Sequence, residues 1–239
     1  MKLNIFRSTT KDGIMTKDKK YFPNLNEEER TLLYEANLEK FFKPKNINYK
    51  DVIFLTEKNK KMSARTITKT TKVVKEAILI LKDKTPNLTV AVETSDSPVV
   101  VATVTKDEKI TCAIALATIE NLNNDILHEM VESLIKETDA APFEMSFYVS
   151  PCPSKDNYIL ENIDGLTNSY VWNSTYEKKK KNKYLLDLRY AIFNQLRLEI
   201  VDPNYIYFDS TDTATTSEFF SDINGNPGKN LVCVVYTED

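Results

Sequence analysis

Apolar residues along this chain follow two patterns, continuous β-branched runs and stripes at helical spacing. The runs DVIFL (51–55), LTVAVET (88–94), SPVVVATV (97–104), ITCAIALATI (110–119), MSFYVS (145–150), NYIYF (204–208) and NLVCVVY (230–236) predict strands. Apolar runs without polar alternation belong to strands buried on both faces. KDEK (106–109) predicts the turn between two of them. The end of VVKEAILIL (73–81) reads as a strand because β-branched residues gather there. Leu3, Ile5 and Phe6 predict a first strand, closed by a turn at Asp12-Gly13.

Three stripes predict helices. Asn26 can cap the first, with Glu27, Glu28 and Glu29 suited to its positive end; Leu32, Leu33, Ala36, Leu38 and Phe41 carry it to about residue 42. Ile126, Leu127, Met130, Val131, Leu134 and Ile135 make the second, capped by Asn123, Asn124 or Asp125. Leu185, Leu188, Ile192 and Leu196 make the third. Residues 153–183 read as a polar loop, with a solvated lysine run at 178–181. Asp202-Pro203 and 224–228 are turn signals. No linker divides the chain, so residues 1–239 read as a single domain.

Composition narrows the function. A chain of 239 residues can bury a core without disulfides. A net charge of −3 gives no field that attracts nucleic acid or acidic membranes. Residues 58–72 hold six basic side chains, but no aromatic is interleaved for base stacking, so a solvated loop or edge strand is expected. No run approaches a membrane span, and the N-terminus lacks the apolar core of a signal peptide. Cys112, Cys152 and Cys233 read as free buried thiols in a reducing compartment. The expected location is cytoplasmic. Only 4 glycines are present, and no phosphate-cradling glycine motif occurs.

Candidate chemistry is sparse. His128 is the only histidine and reads as structural. Cys152, in Ser150-Pro151-Cys152-Pro153-Ser154, would need an activating base to act as a nucleophile. Asp96-Ser97-Pro98 lies between two buried strands, where polar groups form a satisfied bend or a pocket floor.

The order of short motifs resembles the multicopper polyphenol oxidoreductase, or laccase-domain, family of the YfiH/YlmD type. The turn Thr9-Thr10-Lys11-Asp12-Gly13 is similar to the family's T-R-x-G-G turn. Ser95-Asp96-Ser97-Pro98 stands where the family has A-D-C-x-P, and Leu116-Ala117-Thr118-Ile119-Glu120-Asn121 where it has H-A-G-W-R-G. Ser150 to Ser154 with Tyr158 resembles the G-P-S-I-G segment, and Asp187-Leu188 with Gln195-Leu196 the D-L to Q-L helix. Phe219-Phe220-Ser221 and Gly228-Lys229 echo the closing motif.

The resemblance implies an α+β fold with mixed β-sheets packed between outer helices. It implies a bacterial protein of a group with attributed phosphorolysis or deamination of purine nucleosides, polyphenol oxidation and peptidoglycan quality control. The family binds zinc or copper through one cysteine and two histidines. Those positions fall on Ser97, Leu116 and the neighbourhood of Asn59, so a degenerate member without metal or other cofactor is expected. Serine is a poor ligand for such ions and leucine is none. Two readings follow. One is a non-catalytic binding or scaffold protein, a monomer. The alternative is an enzyme on purine nucleosides using Lys11, Asp96, Ser97 and Lys229, with the lysines holding phosphate. A small molecule such as a purine nucleoside is the expected partner in either case.

Overall fold

A computed structural model describes residues 2–82 and 87–237. In chain order the elements are β1 (Lys2–Arg7), α1 (Glu27–Phe42), β2 (Ile53–Leu55), β3 (Lys61–Thr66), β4 (Glu76–Lys82), β5 (Thr89–Thr94), β6 (Val99–Lys106) and β7 (Lys109–Leu116). Then follow α2 (Ile119–Asn123), α3 (Ile126–Thr138), β8 (Met145–Val149), β9 (Ile159–Leu160), β10 (Tyr176–Lys178), β11 (Tyr184–Leu186), α4 (Leu188–Leu198), β12 (Ile206–Phe208) and β13 (Asn230–Thr237).

Two mixed sheets stack face to face. One has the order β1-β13-β5-β2 and the other β12-β8-β6-β7-β4-β3. Val90 and Val92, Val232 and Val234, Val99 and Val101, and Cys112 and Ile114 meet between them. The outer face of the larger sheet packs on α2, α3 and α4, through residues such as Ile78, Val100, Phe147, Met130 and Leu196. The outer face of the smaller sheet packs Ala91, Leu231 and Cys233 on Phe41 and Phe42 of α1. Four layers result, helix, sheet, sheet, helix. Both sheets are covered on both faces, which is why β5, β6, β7 and β13 are written as unbroken apolar runs.

Local signals set the helix starts. Asn26 and Glu29 form a reciprocal capping box, each side chain accepting the other's backbone N–H at 2.8–2.9 Å. At α3 the cap is not local. Asp125 is left-handed with no capping hydrogen bond, and Gln195 of α4 accepts from the Leu127 N–H at 3.0 Å instead. Gly13 has φ +95°, and a Cβ there would strike the Asn37 amide, so the turn requires glycine.

The structure departs from the pattern at four places. Leu185 belongs to β11, paired with Ile159, and Asp187 caps the helix, which begins at Leu188. The strand expected to reach residue 119 ends at Leu116, because Thr118 caps α2 by accepting the Asn121 N–H. Residues 153–183 carry β9 and β10, and Val171 and Trp172 are buried. The Trp172 indole donates to Asn123 Oδ1 at 2.6 Å, an anchor too isolated to show as periodicity. In the run at 204–208, the strand starts only at Ile206, after a turn of 3₁₀ helix over Pro203–Tyr205. The basic stretch 58–72 does contain an edge strand, β3, parallel to β4. No helix among the described residues is long and apolar enough to cross a membrane.

Candidate functional site

The bend between β5 and β6 sits where the two sheets meet the loops 209–217 and 221–228. Asp96 is its hub. Its Oδ1 accepts from the Thr213 hydroxyl at 2.8 Å, and its Oδ2 accepts from the backbone N–H of Asp222 at 2.9 Å and Ile223 at 3.3 Å. Ser95 adds a hydroxyl that accepts from the Asp222 N–H at 3.2 Å. Asp96 therefore holds two loops to a strand end, and its acceptor capacity is spent inside the protein. Ser97 is half-buried, and its carbonyl accepts a short bond from the Thr94 hydroxyl. Beside this bend a void of about 10 Å³ is lined by Arg7, Ser8, Thr94, Ser95, Ser150 and Asn230. That is room for one water, not for a nucleoside.

Ser97 and Leu116 lie close. Leu116 is in register with Val99, and the Ala117 N–H donates to the Pro98 carbonyl at 2.8 Å. Leu116 is buried between the sheets. Asn59 is tied to the same end through its loop. Lys60 pairs with Glu120 at 2.9 Å, four residues past Leu116, and Glu57 pairs with Lys229 at 2.7 Å. Asn59 itself is buried and committed. Its Oδ1 accepts the Thr56 N–H at 3.0 Å, and its Nδ2 donates to the Val74 carbonyl at 3.0 Å. Lys11 stands apart from them. It is exposed beside α1, where its carbonyl accepts from Lys40.

These residues do not fit zinc or copper. A hydroxyl, an aliphatic side chain and an amide already bonded on both ends offer no thiolate or imidazole. Among the described residues no group of three or more His, Cys, Asp or Glu side chains could hold a metal ion.

The lone histidine and the loop cysteine are both occupied. His128 Nδ1 lies 3.0 Å from Glu199, joining α3 to the end of α4. That bond holds its pKa above the usual imidazole value. Cys152 is buried, and burial pushes its thiol up to about 11 against the nearby Arg189 charge. A thiol held there supplies almost no thiolate at neutral pH.

One titratable group escapes the motif pattern. Glu93 of β5 faces α1, where the Tyr34 hydroxyl lies 3.3 Å from its Oε1. Burial pushes its carboxyl up to about 7, against the stabilising pull of Tyr34, Lys229, Thr16 and Lys58. The only sequence signal is a single acid inside the run TVAVET.

Comparison with known proteins agrees with this architecture. The family model described as multi-copper polyphenol oxidoreductase laccase matches residues 12–236. Hypothetical protein YfiH of Bacillus licheniformis superposes with TM-score 0.73 at 17% identity, covering 86% of this chain and 82% of that one. YlmD of Geobacillus stearothermophilus gives 0.74 at 17%, covering 87% and 81%. Neisseria meningitidis protein NMB0706 gives 0.73 at 18%, covering 99% and 95%. No curated protein matches at a significant level.

Proposed function

The chain belongs to the multicopper polyphenol oxidoreductase laccase family, and from that premise we propose that it is a non-catalytic binding or scaffold protein without the family's metal chemistry. One observation carries the reading. The motif residues that persist hold the scaffold, and two of the three positions that the resemblance assigns to metal ligands, Asn59 and Leu116, do structural work. Asp96 pins two loops, Asp187 caps α4 and Gln195 bridges α3 and α4. Asn59 brackets its own loop and Leu116 fills the core between the sheets. The loss of imidazole at these positions also removes a general base from that point.

Elemental analysis of the purified chain, with a nucleoside turnover assay, tests this. The expected result is no stoichiometric zinc or copper, and no base release or deamination with adenosine, inosine or guanosine in phosphate buffer at high protein concentration. Stoichiometric metal would overturn the proposal. So would turnover abolished by Ser97→Ala or Lys229→Ala, which would favour the purine nucleoside reading.

A further inference from the structure

The most conspicuous unmatched charge lies away from these positions, in the first turn of α4. Arg189 donates from Nη2 to the carbonyls of Thr211 at 2.9 Å and Cys152 at 3.2 Å. Its Nε is buried with no hydrogen-bond partner. Among the described residues no carboxylate forms an ion pair with it. A half-buried cation with no ion pair is costly, and the positive end of a helix dipole adds to that cost. Both effects favour an anion at this place.

A groove of about 390 Å³ opens beside the guanidinium. Tyr190, Phe193 and Phe208 wall it with aromatic surface, and Lys155 stands in its lining. The Tyr190 and Phe193 rings lie 6.0 Å apart and within 20° of parallel, one helical turn apart on α4. Lys155 pairs only loosely with Glu177, at 3.4 Å, with both side chains well exposed. Such a pair yields readily to a better partner. Asp187 also borders the groove; its Oδ1 caps the helix at the Tyr190 N–H, and its charge opposes an anion that Arg189 and Lys155 attract. An aromatic wall with few placed charges is the usual composition of small-molecule sites.

We propose that this groove binds a small planar aromatic anion, its ring against Tyr190, Phe193 and Phe208 and its carboxylate or phosphate held by Arg189 and Lys155. Nη2 is spent on the two carbonyls and Nε is buried, so Nη1 is the donor Arg189 offers to either anion, with Lys155 as the second cation. The groove shares no residue with Asn59, Ser97 or Leu116, so the site stands independently of the non-catalytic reading.

Ligand-observed NMR on the full chain tests it, with benzoate and phenyl phosphate as probes and benzyl alcohol and inorganic phosphate as controls. At least one aromatic anion should bind saturably, at least about tenfold tighter than either control. The tighter of the two identifies the anion. Phe193→Ala and Lys155→Gln should each weaken binding by about tenfold with circular dichroism unchanged. Arg189→Lys keeps the charge but loses the planar group that the two carbonyls hold in place, and should also weaken it. If that variant does not fold, the Phe193 and Lys155 variants decide. Failure of both anions to saturate, equal binding of benzyl alcohol, or undiminished binding by Phe193→Ala would overturn the proposal.

Discussion

At the Asp96 corner the carboxylate meets protein donors on both oxygens; at the Arg189 corner the cation meets two carbonyls and no carboxylate. The two corners are built from similar loops and neighbouring strand ends. The first is a structural knot, its void the size of one water. The second opens on an aromatic groove. A charge whose partners are all internal holds a fold together, and a charge left over is free to recognise something else. The family motif falls on the first corner, where the partners of the carboxylate are the protein's own.

The largest test of that contrast is Asp96→Ala. It removes three hydrogen bonds that anchor two loops, at about 1 kcal/mol each. Urea unfolding should show a loss of roughly 3 kcal/mol. A loss below about 1 kcal/mol would mean that the corner does not depend on this carboxylate.

Three residues before Asp96, on β5, Glu93 faces α1. Lys229, the cation that pulls on it most, is held by Glu57. Its folded pKa of about 7 exceeds the ordinary 4.5, so the folded chain binds the proton more tightly than the unfolded one. Its contribution is fully present below about pH 4.5 and is lost as pH rises through about 7. Glu93→Gln should remove that slope and leave the protein roughly 2 kcal/mol more stable than the parent at pH 8. Parallel urea midpoints from pH 4.5 to 8 in the two proteins would show that Glu93 carries no such linkage.

The smallest effect is expected at Lys60→Ala. Its pair with Glu120 is exposed on both sides, and the change should stay below about 0.5 kcal/mol. A loss several times larger in thermal melts would show that the loop holding Asn59 depends on this tie to α2.

The layered architecture was legible because burial on both faces leaves a plain mark. Runs such as VVVATV and LVCVVY have no place for water on either side. The Asn26 cap was legible because its partner Glu29 is local. What escaped depends on distant partners. Gln195 caps α3 from another helix, and Trp172 anchors a polar loop through Asn123. Arg189 looks like any arginine on the polar side of an amphipathic helix until the carbonyls of Cys152 and Thr211 are seen around it. Asp96 carried the reverse problem. Its motif announced chemistry, and only the donors from residues 213, 222 and 223 revealed a clasp.

β13 is an interior strand of its sheet, with β1 on one side and β5 on the other. It pairs residues 2–7 with residues 232–237, so the two strands farthest apart in sequence must meet to complete the sheet. Until β13 docks, β1 and β5 each present an unmated edge and the apolar inner face of the larger sheet is unroofed. Such surfaces invite aggregation and long-range closure is slow. Until that closure the chain is open to mispairing through these edges.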